Sequence, residues 1–205
     1  MRVALTRMVT SEDLVRSDGV YRLSARLIER QHRQDAAVTA QTRHWIGQWR
    51  LAVIIVGAND SADRAATRDI LRANRFGELR EGVWTRPDNI DIDLPAPLRK
   101  RLTLFTALPE ERSVDLAERL FNPSEWAREA NDLLSMYEPQ APMTDRFEMA
   151  AAMVRHLLDD PLLPEDLLPA DWPGAALRKT YEQFRREFTT FAGHLLTPAP
   201  AAPQR

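Results

Sequence analysis

The run Gln48–Val56 (QWRLAVIIV) constrains the fold more than any other stretch of the chain. It is nearly continuous in apolar and β-branched residues, the pattern of a strand with little exposure on either face. The residues that follow suggest what covers it. Asn59, Asp60 and Ser61 are capping types, and from about Ala62 to Asn74 the residues Ala62, Ala66, Ile70 and Ala73 share one helical face. Gly77 stands where a left-handed C-cap is expected. Glu78 to Arg86 (ELREGVWTR) alternates as a second strand ended by Pro87, and Leu102 to Leu108 (LTLFTAL) reads as a third. Between them, Pro87 to Arg101 carries three prolines and reads as a loop. Strand, helix, strand, strand predicts a small ferredoxin-like α+β unit over residues 46–110.

After Pro109 the chain turns helical. Ser113 is expected to cap a helix to about Phe121. Asn122-Pro123 breaks it, and Ser124 is expected to cap the next, to about Tyr137. A break at Pro139 and Pro142 precedes a helix from Thr144 to about Leu158. The last helix is expected from Ala175 to Leu196, with Phe184, Phe188, Phe191 and Leu195 in one apolar stripe. Between these two lies DPLLPEDLLPADWPG (Asp160–Gly174), whose four prolines exclude regular helix. Leu162, Leu163, Leu167, Leu168 and Trp172 would pin it as an ordered loop. Residues 111–197 are therefore expected to form an all-α domain. The Pro/Ala-rich residues 198–205 are expected to form a disordered tail.

The other end reads differently. At about 100° per residue, Met1 to Thr10 places Ala4, Leu5, Met8 and Val9 on one side of a short helix and Arg2, Val3, Thr6, Arg7 and Thr10 on the other. The second face is basic and hydroxyl-bearing, which suits phosphate and base-edge contacts in a major groove. LVRSDGVYRL (Leu14–Leu23) then offers two β-prone runs around Asp18-Gly19, a hairpin signal. A helix followed by a basic hairpin is the pattern of a recognition helix and wing over residues 1–24. An N-terminal helix and hairpin packed on the main domain is the alternative. Ser24 is a good N-cap for a linker helix to about Arg43, within an expected linker of residues 25–45.

Composition narrows the function classes. With net charge -2 and pI about 6.1, the chain is not a basic nucleic-acid wrapper as a whole. The charge is uneven, however: seven arginines face four acids between Met1 and Gln34, whereas acids predominate from Glu110 to Asp171. A DNA-binding end on a neutral or acidic body fits this asymmetry, and so does a charged surface with no DNA role. The chain has no cysteine, which excludes disulfides and thiolate metal sites. No apolar run approaches the roughly 18 residues of a membrane span, and the start lacks a signal-peptide core, so a soluble cytoplasmic protein is expected. His32, His44, His156 and His194 form no metal-ligand spacing, and no nucleophile elbow or phosphate-cradling glycine loop is present. Asp159/Asp160 and Glu165/Asp166 read as solvated loop acids and caps rather than as a cation site. No catalytic residue, metal ligand or cofactor is expected. Trp45, Trp49 and Trp84 flank strands, as core residues or as the wall of an aromatic pocket.

Several motifs together resemble the PaaX family of bacterial repressors of phenylacetate catabolism. They are RVALTRMV and DLVRSDGVYRLSARLIERQ at the start, Trp45–Trp49 (WIGQW), Phe76–Pro87 (FGELREGVWTRP) and DPLLPEDLLPADWPG, the last two being the most specific. The resemblance implies a winged helix, a Cas2-like ferredoxin-like domain and a helical C-terminal domain. It also implies a homodimer on palindromic double-stranded operator DNA, released by an aryl-acyl-CoA such as phenylacetyl-CoA. Arg2, Thr6 and Arg7 would then approach DNA from the recognition helix, and Arg16 and Arg22 from the wing. The effector's phosphates would need arginine or lysine side chains. Arg99, Lys100 and Arg101 form the one basic triplet, with Arg178-Lys179 a second cluster, and Trp84 would face the acyl group. A solvated loop or edge-strand guard is the plainer explanation of the triplet. The family's first two winged-helix segments have no counterpart here. On this reading either Met1 is an internal methionine, or the face of Ala4, Leu5, Met8 and Val9 lacks its packing partners. A dimerisation or acyl-CoA-sensing module without sequence-specific DNA binding is therefore the rival. A Cas2-type nuclease, which needs a carboxylate near Asn59 and Asp60, is a third reading.

Overall fold

The computed structural model describes residues 14–17, 20–23, 39, 41–57 and 60–196. The expected recognition helix with Arg2, Thr6 and Arg7, most of the linker helix, Asn59 and the tail 198–205 lie outside the described residues. The hairpin is described. Strands β1 (Leu14–Ser17) and β2 (Val20–Leu23) pair antiparallel with Ser17 opposite Val20. In the register Arg16 stands opposite Tyr21 and Arg22 opposite Val15. The linker helix does not reach Arg43: Gln41–His44 is irregular, and Arg43 N donates to Asn89 O at 2.6 Å.

The central unit comprises β3 (Trp49–Ile54), α1 (Ser61–Ala73), β4 (Gly77–Arg80), β5 (Val83–Pro87), α2 (Ala96–Arg99) and β6 (Leu102–Ala107). Its sheet runs β4-β5-β3-β6, antiparallel throughout. This is the ferredoxin-like order, with the second helix reduced to a single turn. Asp60 caps α1, its Oδ1 accepting from Asp63 N at 2.8 Å.

Two expectations here need correction. Glu78 to Arg86 is not one strand but a hairpin, because Gly82 takes a left-handed φ of 77° and turns the chain after Glu81. Gly77 is not the left-handed C-cap. Arg75 takes that conformation (φ 61°), and Gly77 opens β4 for a packing reason. A Cβ there would meet Leu120 Cβ at 3.0 Å and the Phe121 ring at 3.1 Å.

β3 is buried at Trp49 and Ala52, but the end of its apolar run is not covered, Ile55 being 62% and Val56 52% exposed, so the expected burial throughout is not met. Ala52, with Trp84 on β5 and Leu102 on β6, packs against Leu71, Phe76, Leu94 and Leu98. On the other face Trp49 packs against Leu116 and Ala117 of α3 (Ser113–Phe121) and against Leu163 and Leu167 of the Pro-rich loop. Trp49 Nε1 donates to Ser113 Oγ at 3.1 Å. Ser113 is thereby taken from the expected capping role; the cap position falls to Arg112, which makes no side-chain cap bond.

The remaining helices are α4 (Pro123–Met136), α5 (Met143–Leu158) and α6 (Gly174–Leu196). Asn122, left-handed at φ 47°, separates α3 from α4, and Pro123 takes the first helical position, where its missing N–H costs nothing. Ser124 is consequently inside α4, and its hydroxyl donates to Glu118 at 3.0 Å instead of capping. Trp126, Ala130, Met153, Leu157 and Leu177 form the core of this bundle. Trp126 is sandwiched between His156 (4.4 Å) and Trp172 (4.3 Å). The aromatic stripe of α6 is buried at Phe184 but 42% exposed at Phe191. The Pro-rich segment is ordered, with a single 3₁₀ turn at Glu165–Leu167.

The tight contact at Gly77 gives a direct test. Gly77→Ala should destabilise the protein by about 1–3 kcal/mol, the usual cost of overpacking. Gly57→Ala, whose Cβ would meet nothing within 4 Å, should leave stability nearly unchanged. Thermal melts of the two variants measure the contrast.

Candidate functional site

The basic triplet begins at Arg99, the last residue of α2, and leads into β6, which pairs only with β3 and so forms an edge of the sheet. Its three cations part company. Arg101 is anchored: its carbonyl accepts from Ile55 N (2.9 Å) and Val56 N (3.1 Å), and its Nη1 bonds Asp63 at 2.7 Å. Its Nη2 is buried without a partner. Lys100 is exposed. Arg99 lines a different groove, of about 470 Å³, together with Arg43, Arg50, Ile90 and Leu104. There Arg50 pairs with Asp88 at 3.2 Å, and Arg43 pairs with Asp88 at 3.1 Å and Asp91 at 3.4 Å.

Trp84 is 1% exposed and belongs to the central core, yet it also forms part of the wall of a cavity of about 210 Å³. That cavity lies between α1 and the β4–β5 hairpin, and Arg101 lines it too. Trp84 and Arg101 are thus brought together, whereas Arg99 and Lys100 are not at this cavity. Of the second basic cluster, Lys179 is exposed and Arg178 is committed elsewhere.

That commitment belongs to a polar joint between the central unit and the helical domain. Arg86 on β5 is fully buried. Its Nε donates to Pro87 O at 2.9 Å, its Nη1 to Asn74 O at 3.2 Å, and its Nη2 to Asn89 Oδ1 at 2.7 Å and Leu162 O at 3.5 Å. Asn89, also fully buried, donates its Nδ2 to Leu162 O at 2.8 Å. Leu162 holds a left-handed φ of 51°, and its N donates to Asp160 Oδ1 at 2.8 Å. The other Asp160 oxygen takes Arg178 Nη2, and Arg75 Nη1 donates to Leu158 O. Burial pushes the Arg86 guanidinium down to about 9, with the neighbouring Arg75 charge adding to the effect. Burial likewise lowers Arg75, opposed by Asp160 and Asp159. Arg86 still carries its charge at neutral pH.

Asp160 corrects the reading of the loop acids. It is 2% exposed and serves as a structural acceptor, while Asp159, Glu165 and Asp166 are solvated. Nothing in the sequence singles out Arg86 or Asn89, because the carbonyls that tie them to other elements, Asn74 O and Leu162 O, are remote along the chain. His156 Nε2 lies 2.9 Å from Trp126 O, and His44 is exposed. Among the described residues no three metal-ligating side chains cluster. Asp60, the described member of the nuclease pair, is engaged as a helix cap. No described helix is long and apolar enough to cross a membrane.

The central Cas2-like domain of PaaX proteins matches residues 42–113, and the PaaX-like protein C-terminal domain matches residues 117–197. The chain belongs to the PaaX-like family. Family membership makes it a PaaX-like regulator in general terms and agrees with the mixed α+β architecture. Among solved structures, the uncharacterized protein Rv0674 from Mycobacterium tuberculosis is similar at 49% identity and TM-score 0.79, over 92% of this chain and 80% of that one. No curated protein matches the chain.

The joint predicts how the two parts fail. Asn89→Ala removes a buried acceptor from Arg86 and a donor from Leu162 O, so it should cost about 3–5 kcal/mol, as breaking a buried charged network does. Arg86→Met should cost less, about 1–3 kcal/mol, because it removes the buried charge along with its bonds. The folded guanidinium binds its proton less tightly than the unfolded one, so the unfolded chain binds more protons only above about 9. The Arg86→Met penalty should therefore stay flat through neutral pH and grow above that value. Denaturant melts over a pH series measure both.

Proposed function

We propose that the protein is a DNA-binding transcriptional repressor of an aromatic-acid catabolic operon of the phenylacetate type, acting in the cytoplasm as a homodimer and released by an aryl-acyl-CoA. Membership of the PaaX-like family together with the β1–β2 hairpin supports this reading. The hairpin carries Arg16 and Arg22 directly after the stretch that holds Arg2, Thr6 and Arg7. Phosphate contacts fix register and carry no sequence information, whereas base-edge contacts specify. The wing arginines are assigned the first role, and the face of Arg2, Thr6 and Arg7 the second. A two-fold dimer presents two such units to a palindromic site, and an effector that favours a dimer form with poor half-site spacing releases it.

For the effector, Arg99, Lys100 and Arg101 are the assigned phosphate donors and Trp84 the acyl contact. The placing of Trp84 and Arg101 at one cavity, with Arg99 on a separate groove, supports a divided role rather than a single phosphate clamp.

The test is binding to operator and random DNA by the full-length protein over a salt series. Arg16→Ala should weaken binding to both DNAs alike and reduce the slope of log affinity against log salt by about 1. Thr6→Ala and Arg2→Ala should mainly reduce the ratio between the two. Equal losses on both DNAs for every substitution would remove the recognition-helix assignment. An unmodified protein that prefers neither DNA would leave the sensing or dimerisation module as the surviving reading.

A further inference from the structure

We propose that the outer edge of β6 is the surface on which two copies of this chain pair, antiparallel and in one register, about a two-fold axis beside Phe105. Two four-stranded sheets then join into one continuous sheet. The inference rests on the homodimer reading for its meaning, and goes beyond it by assigning the interface, its register and the residues that fix both.

The two edges of the sheet are built differently. Edge strands are ordinarily kept from pairing with other chains by shortness, charge, proline or a bulge. β4 has such guards: it is four residues long, carries Glu78 and Arg80, and shifts register between them. Glu78 is tied further to Arg68 of α1 at 3.2 Å. β6 has none of them. Its six residues, LTLFTA, include neither a charge nor a proline, and its register with β3 runs unbroken from Leu102 to Ala107. Among the described residues no strand pairs with its outer side. Phe105 is 49% exposed, and Leu108, just past the strand, 71%.

The main chain of β6 decides which residues can bond outward. Ile55 N donates to Arg101 O at 2.9 Å, so the Arg101 carbonyl faces β3. By the alternation of an antiparallel ladder the peptide groups of Thr103, Phe105 and Ala107 face β3 too, and those of Leu102, Leu104 and Thr106 point outward. A second β6 satisfies them. With Phe105 opposite the partner's Phe105, Leu104 falls opposite the partner's Thr106 and Leu102 opposite the partner's Leu108, as hydrogen-bonded pairs. The two phenylalanines then form a close non-hydrogen-bonded pair.

Charge selects this register. Arg99-Lys100-Arg101 precedes the strand and Glu110-Glu111 follows it, so an antiparallel pair sets opposite charges against each other at both ends. Arg101 and Glu111 are held within the protomer by Asp63 and Arg119. Lys100 and Glu110 are exposed, and Lys100 falls opposite the partner's Glu110. Slipping one residue would turn the partner's apolar face over. Slipping two sets Glu110 opposite the partner's Leu98 or Leu102 and loses the ion pair. A strand that is basic before, apolar within and acidic after is complementary to itself, as a two-fold contact requires.

The chain has no cysteine, so one introduced thiol reports one position. Phe105→Cys should cross-link two copies under mild oxidation, because the Cβ atoms of such a cross-strand pair stand about 4.5–5.5 Å apart. Thr103→Cys should not, since the partner's Thr103 is displaced by about 13 Å along the strand. Sedimentation of the full chain over a concentration series gives the dimer constant. Thr106→Pro removes an outward N–H without touching the β3 ladder, and should weaken the dimer roughly a hundredfold. Lys100→Glu should weaken it about tenfold at low salt, and adding Glu110→Lys should restore it. Leu79→Glu, at the guarded edge, should leave it unchanged. Circular dichroism melts show that each variant folds. A dimer that Thr106→Pro leaves intact, or that Phe105→Cys does not cross-link, overturns this interface while the homodimer stands. Failure of the double charge reversal to restore the affinity overturns the register. A chain that is monomeric at every concentration removes the interface and the homodimer together.

Discussion

A buried arginine that makes no hydrogen bond to a carboxylate ties the two described domains together. Arg86 lies in the interior of the molecule, and what its guanidinium meets is oxygen from three places: the end of α1, the chain just after β5, and Leu162 in the Pro-rich loop. A guanidinium taken out of water is tolerable only when its donors are satisfied at good geometry. That requirement fixes Leu162 O in place, and with it a left-handed residue that only a well-determined surrounding can hold. Asp160 secures the same turn from below through Leu162 N and Arg178, so the start of the loop is pinned to α6 as well. Leu163 and Leu167 can then reach Trp49 and cover the start of β3 on its second face. The order of dependence runs from one charge to one carbonyl to the cover of the central strand.

Much of this architecture was legible because it follows from periodicity and from residues with few conformational options. The β3 run marked a real strand of the sheet, buried at Trp49 and Ala52 though exposed at Ile55 and Val56. Pro123, Pro142 and the prolines of Asp160–Gly174 marked real helix boundaries, and Asp18-Gly19 marked a hairpin whose register leaves those two residues between the strands. What escaped were events decided by distant partners. Strand-forming residues stand on both sides of Glu81-Gly82, so reading Glu78–Arg86 as one strand passed over the reversal there. Gly77 carries no sign that its missing Cβ serves α3 rather than the end of α1. Ser113 looked like a cap until the indole of Trp49, far away in sequence, claimed its hydroxyl.

The candidate site was legible in composition and illegible in geometry. Arg99, Lys100 and Arg101 are consecutive, and a sequence invites their treatment as one patch. The turn from α2 into β6 separates them: Arg101 is drawn inward by Asp63 and by the main chain after β3, while Arg99 remains on the outer side of α2. Charge density along a chain is therefore a poor guide to charge density in space when a helix ends within the cluster. The single aromatic that the resemblance assigned to a ligand, Trp84, is both a core residue and a cavity wall.

That double role sets a condition on any response to a ligand. Trp84 and Arg86 are two residues apart on β5, on the same face, with Ala52 and Arg50 opposite them on β3. Along an extended strand two residues span about 7 Å. The wall of the cavity and the hub of the joint are therefore neighbours on one rigid element. Spatial nearness is not coupling, which requires two arrangements of the connecting element that a ligand distinguishes. The buried joint restricts what those arrangements can be. Sliding β5 would strand the Arg86 charge away from Leu162 O at a cost of several kcal/mol, so small motions of the strand are resisted. A change that moves the helical domain as a whole, carrying Asp160 and Leu162 with it, would have to break Arg86 and Asn89 from Leu162 together.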